Sequence, residues 1–134
     1  MTLEELYLYA DERGISVDWV MFQHAESLSA PIGDGFVIAI DPSKIHGSVD
    51  EMMKLSHELG HCETASFYSP HDDLYTRQRF ENRADRWAIK KLVPAGELER
   101  AVRKGYTEPW QLAEYFSVNE GLITKAITLY RGEK

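Results

Sequence analysis

The chain has 134 residues, 43% of them hydrophobic and 28% charged, proportions that suit one globular domain with its own core. A formal charge of −7 argues against broad nucleic-acid affinity, and no apolar run approaches the about 18 residues a membrane span needs. One cysteine, Cys62, excludes an internal disulfide, and Met1 to Glu5 lacks the basic-then-apolar pattern of a secretory signal, so the expectation is a cytoplasmic protein.

Thr2-Leu3-Glu4-Glu5 reads as a capping box opening a helix from Leu3 to Arg13, with Gly14 as its stop. Ile15 to Trp19 alternates apolar and polar residues and predicts a strand. Leu28 to Ile32 predicts a second strand, which Pro31 moves to an edge. Gly33-Asp34-Gly35 is a turn, and Phe36 to Ile40 is a continuous apolar strand closed by Asp41-Pro42; this strand is a candidate edge for pairing with an extended substrate. Ser48-Val49-Asp50-Glu51 reads as a second capping box, starting a helix to about Thr64 or Ala65. Gly60 inside that helix costs about 1 kcal/mol relative to Ala, and close approach of another backbone would account for it.

Ser66 to Asp73 is a loop, followed by a helix from Leu74 to Leu92 that stops at Pro94. Its expected buried face is Phe80, Ala84, Trp87 or Ala88, and Leu92. A short amphipathic helix over Pro94 to Lys104 turns Leu98, Ala101 and Val102 inward. Helices over Thr107 to Phe116 and Asn119 to Tyr130 complete the chain, with Trp110, Leu112, Ala113 and Phe116 as a core stripe and Asn119 as an N-cap.

One stretch carries chemistry: His57-Glu58-Leu59-Gly60-His61. On a helix the two histidines lie one turn apart on one face and can hold one metal ion, while Glu58 is placed as general base. The pattern arises by chance in about one in a few hundred such chains, treating positions as independent. A catalytic zinc takes three protein ligands and leaves a position open. Glu81, on the following helix, is the best third ligand, and Asp85, one turn beyond, can accept a hydrogen bond from the free ring nitrogen of a ligating histidine. Tyr68, His71 and Tyr75, in or beside the intervening loop, are alternative oxyanion stabilisers. Cys62 points about 100° away from His61 and reads as a buried small residue. His24 and His46 have no partners at ligand spacing, and Glu97 and Glu99 read as a solvated face.

These residues, with Glu81-Asn82-Arg83-Ala84-Asp85-Arg86-Trp87-Ala88 and Leu92-Val93-Pro94, resemble the ImmA/IrrE family of metallopeptidases. Ile40-Asp41-Pro42 and Leu112 to Val118 extend the likeness, which covers most of the chain from about Gly33. The Glu-x-x-x-Asp spacing also resembles the gluzincins, where the Glu binds zinc and the Asp supports a ligand His. Asp85 stands where many family members have Asn. The resemblance implies a zinc endopeptidase, encoded by a prophage or other mobile element, that cleaves a helix-turn-helix repressor. The extra domains of larger members are missing, so proteolysis alone is expected.

A competing reading is a catalytically silent zinc-binding or protein-docking module built on the C-terminal helical pair, residues 107–130. That pair has helix-turn-helix length, but its second helix offers only Lys125 and Arg131, which argues against DNA binding. The expectation is one α+β, zincin-like domain over residues 1–134. About six helices would pack on a small, mostly antiparallel sheet of about three strands, with one zinc per chain.

Overall fold

A computed structural model describes residues 1–133. The fold is α+β, with six α-helices and one three-stranded mixed sheet. Helix α1 (Leu3–Glu12) leads into β1 (Ile15–Trp19); β2 (Ser27–Ile32) and β3 (Gly35–Ile40) form a hairpin. The strand order is β1-β3-β2, with β3 parallel to β1 and antiparallel to β2. The continuous apolar run of β3 therefore belongs to a central strand, paired on both sides. This corrects the expectation that Phe36 to Ile40 offers an edge: the sheet's edges are β1 and β2, and Pro31 sits on an edge as expected.

Ile15, Phe36, Ile38 and Ile40 share one face of the sheet with Ser27 and Ser29, because their positions are paired across the ladders. Ile38 and Ile40 are fully buried there against α1 and α2 residues such as Leu6, Leu55 and Leu59. The Thr2 capping box forms: its hydroxyl accepts from the Glu5 amide at 3.1 Å, and the Glu5 carboxylate accepts from the Thr2 amide at 3.3 Å.

Helix α2 (Ser48–Thr64) carries both histidines, but its expected capping box does not form. Gly47 is the N-cap, at φ 96°, which puts Ser48 inside the helix where its hydroxyl makes no cap bond. Asp50 turns back instead, accepting from the His46 amide at 2.9 Å and from Lys54 Nζ at 2.6 Å. Helix α3 (Leu74–Leu92) has the predicted bounds, and Asp73 caps it by accepting from the Thr76 amide. Its buried face is Ala84, Ala88, Ile89 and Leu92, with Phe80 and Trp87 half-buried beside it.

Helices α4 (Ala95–Arg103), α5 (Pro109–Phe116) and α6 (Glu120–Gly132) follow, and Asn119 caps α6. Two inward assignments are corrected. Val102 is 43% exposed, because Leu98 and Ala101 already fill the core side of α4. Trp110 is 53% exposed in the first turn of α5, whose core contacts come from Leu112 and Ala113. No helix among the described residues is long and apolar enough to cross a membrane.

Candidate metal centre

The site begins with the contact between α2 and α3. Gly60 and Ala84 are both buried where the two helices touch. A Cβ on Gly60 would lie 2.4 Å from the Ala84 carbonyl oxygen, closer than any carbon can sit. The absent side chain thus lets α3 press its backbone onto α2. Glu81 and Asp85, flanking Ala84 on α3, are thereby brought within reach of the α2 histidines.

Two imidazole nitrogens and one carboxylate converge. His57 Nε2 lies 2.8 Å from Glu81 Oε2, His61 Nε2 lies 3.1 Å from Glu81 Oε1, and the two Nε2 atoms are 3.2 Å apart. A tetrahedral zinc with bonds of about 2.0 Å holds its ligand atoms about 3.3 Å apart, close to the spacing of the two Nε2 atoms, and Glu81 completes the triangle of residues with one oxygen near each of them. Each histidine is anchored through its other nitrogen. His57 Nδ1 meets Asp85 Oδ1 at 2.8 Å, and His61 Nδ1 meets the Ser66 carbonyl at 2.6 Å. Nδ1 donating to these acceptors leaves both Nε2 lone pairs for an ion. The second anchor comes from the end of α2. Ala65 enters the left-handed region at φ 50°, folding the chain so that the Ser66 amide donates to the His61 carbonyl at 3.0 Å.

The same carboxylates keep protons on the histidines when no ion is bound. Burial pulls the His57 imidazolium down in pKa, but hydrogen bonds to Asp85 and Glu81 outweigh it and carry the group up to about 10. Hydrogen bonds from His57 and His61 hold the Glu81 carboxyl far below its usual range. An ion bound there displaces those imidazole protons, so its binding weakens as pH falls.

Glu58 is buried on α2 and does not join this triangle. Its carboxylate accepts from Ser27 Oγ at 2.7 Å and from Ser29 Oγ at 2.6 Å, one hydroxyl on each oxygen. Both serines come from β2 and line, with Glu58, His57, His61 and Glu81, a cleft of about 560 Å³. Strand β2 starts at Ser27, one residue before the expected Leu28, and neither serine is among the candidate site residues of the sequence. The signal was present: alternating serines on the face of a strand that should turn apolar residues toward α2.

The three oxyanion alternatives separate. The Tyr68 hydroxyl donates to Glu81 Oε1 at 2.6 Å, and Tyr68 lines the cleft. That bond to Glu81, with burial, pushes the phenol up to about 12. Tyr75 is 73% exposed, and neither it nor His71 lines the cleft. Arg77, one turn before Glu81, also lines it and was not singled out from the sequence. Cys62 is buried as expected, and burial pushes its thiol up to about 12. His24 and His46 are exposed. No protein-family model, curated protein or solved structure matches the chain.

Proposed function

We propose that the protein is a zinc-dependent endopeptidase of the ImmA/IrrE type, acting in the cytoplasm on a helix-turn-helix repressor. One observation carries the enzymatic part of this reading: two imidazole nitrogens and a carboxylate converge at hydrogen-bonding distances while a second acid, the buried Glu58, stands beside them outside the ligand group. A purely structural zinc site is closed by four protein ligands, and here the described residues supply three. The repressor substrate rests on the family resemblance alone.

His57, His61 and Glu81 would hold the zinc, with Asp85 and the Ser66 carbonyl fixing the two rings. When bound, zinc supplies Lewis acidity that polarises a peptide carbonyl and acidifies water toward pKa about 7. Glu58 takes the proton of the attacking water and delivers it to the leaving amine. Ser27 and Ser29 keep both oxygens of Glu58 oriented through that exchange. Tyr68 donates its hydroxyl hydrogen to the developing oxyanion, exchanging the bond it now makes to Glu81. The exposed edge of β2 beside the cleft offers backbone groups to an extended peptide.

The test is zinc per chain, followed by cleavage. Wild type and Glu58→Gln are expected to carry about one equivalent of zinc and Glu81→Ala much less than that. Wild type should cleave a repressor encoded beside it, and Glu58→Gln should not. Zinc bound by the wild type without any cleavage would leave the silent-module reading in its place.

A further inference from the structure

Residues 77, 81 and 85 stand at successive turns of α3, and Arg77 shares the cleft with Glu81 and Tyr68. Arg77 Nε is buried and has no hydrogen-bond partner, the only such side-chain atom among the described residues. Its guanidinium also joins no ion pair among the described residues, as is true of the more exposed Arg79, Arg83, Arg86 and Arg131. A guanidinium does not shed its charge, so an unpaired buried Nε–H carries an uncompensated desolvation cost. Nε is closed to solvent as the side chain now lies, so it meets a ligand once the guanidinium turns toward the cleft that Arg77 lines.

The geometry of the donor narrows the class of ligand. Nε–H and the neighbouring Nη–H project side by side, a fork that takes both oxygens of a carboxylate in parallel hydrogen bonds. A peptide carbonyl fills only one arm of the fork and leaves the charge unpaired. The charged groups lining the cleft besides the histidines are Glu26, Glu58 and Glu81, so Arg77 is the cleft's fixed cation. On a chain of net charge −7, an acidic ligand is repelled at long range and is held only where such a cation touches it.

We infer that Arg77 recognises a carboxylate of the bound peptide, carried by an acidic side chain or by the peptide's own C-terminus, beside the bond to be cut. This deepens the peptidase reading and rests on it. Arg77 is thus a specificity residue that seats the substrate, with no part in the proton transfers.

Zinc-loaded protein is assayed on internally quenched peptide libraries that place Glu, Asp, Gln or Asn at one position at a time, with free or amidated C-termini. One acid form should exceed its amide counterpart by about 10-fold or more in kcat/KM, mainly through KM. Preference at an internal position identifies a side chain, and preference for the free terminus identifies the α-carboxylate. Arg77→Met should level acid and amide while keeping its zinc, and Arg77→Lys should restore part of the difference. Equal cleavage of acids and amides by the wild type overturns the role of Arg77 and leaves the peptidase reading standing. If the wild type cleaves nothing, the peptidase reading fails, and the same peptides, fluorescently labelled, are titrated onto the zinc-loaded protein by anisotropy. An acid preference that Arg77→Met removes then retains carboxylate recognition, and its absence overturns it.

Discussion

Gly60 sets two effects against each other at one position. In an isolated helix, Gly60→Ala would add about 1 kcal/mol of stability. In this fold the new methyl meets the Ala84 carbonyl at 2.4 Å, and backbone cannot swing aside as a side chain can. Relief requires α3 to move away from α2, carrying Glu81 and Asp85 with it. Overpacking of this kind costs about 1–3 kcal/mol, so the clash outweighs the propensity gain. Gly60→Ala should lower the urea midpoint and the zinc content together. An unchanged midpoint with full zinc would show that the close contact does not position the ligands. The glycine's purpose was legible from its place inside a metal-binding motif. The identity of the touching residue was not, because it depends on how two helices cross.

At the scale of elements, Asp41 ties three segments together at the end of β3. Its buried carboxylate accepts from the Phe22 amide at 2.9 Å, the Ser43 amide at 2.9 Å and Ser43 Oγ at 2.6 Å, with Lys44 Nζ at 3.5 Å. The Phe22 amide first, then the Ser43 hydroxyl, hold its pKa down to about 2 against the opposing effect of burial. Because the folded value lies below the unfolded one of about 3.9, the carboxylate's contribution to stability is complete above that unfolded value. It is lost as pH falls toward 2. Asp41→Asn keeps the shape but sets an amide against donors, so it should destabilise the fold at neutral pH. It should also flatten the fall of urea midpoint between about pH 4 and 2. A variant whose midpoint follows the wild-type acid limb would remove Asp41 from that role. The sequence announced Asp41-Pro42 as the end of a strand, and the helices from Leu74 and from Asn119 were equally plain, because their caps and apolar spacing are local. Strand pairing and the start of α2 were not. Which strand lies in the middle is a long-range choice, and Gly47 displaced an equally well-formed serine box.

At the scale of the whole molecule, the proposed zinc site ties together groups that are distant in sequence. Helix α2 supplies two ligands and α3 the third; Ser66 and Tyr68 bring in the loop between them, and β2 reaches Glu58 through two serines. Helix α6 joins as well, with Lys125 Nζ 3.7 Å from Asp85 and the Tyr130 hydroxyl donating to the Val93 carbonyl at 2.7 Å. An ion bound there would be held directly by α2 and α3 and would bear on β2, α6 and the loop after α2 through these contacts, and the unfolded chain has no such arrangement to offer it. Zinc binding is therefore folding free energy. At free zinc about 1,000 times its Kd, linkage adds about 4 kcal/mol. For a domain between the sizes usually tabulated, each kcal/mol moves Tm by about 3–5 °C, so zinc should raise Tm by roughly 10–20 °C. Chelation should reverse the gain in the wild type and in Glu58→Gln, whose substitution leaves all three ligands in place. Glu81→Ala should lose most of the response, since a carboxylate that bridges both histidines is gone. The measurement is Tm against free zinc in a buffered series for the three proteins. A wild-type Tm that ignores zinc across the series would mean that the His57, His61 and Glu81 triangle is held by its own hydrogen bonds and not built for an ion.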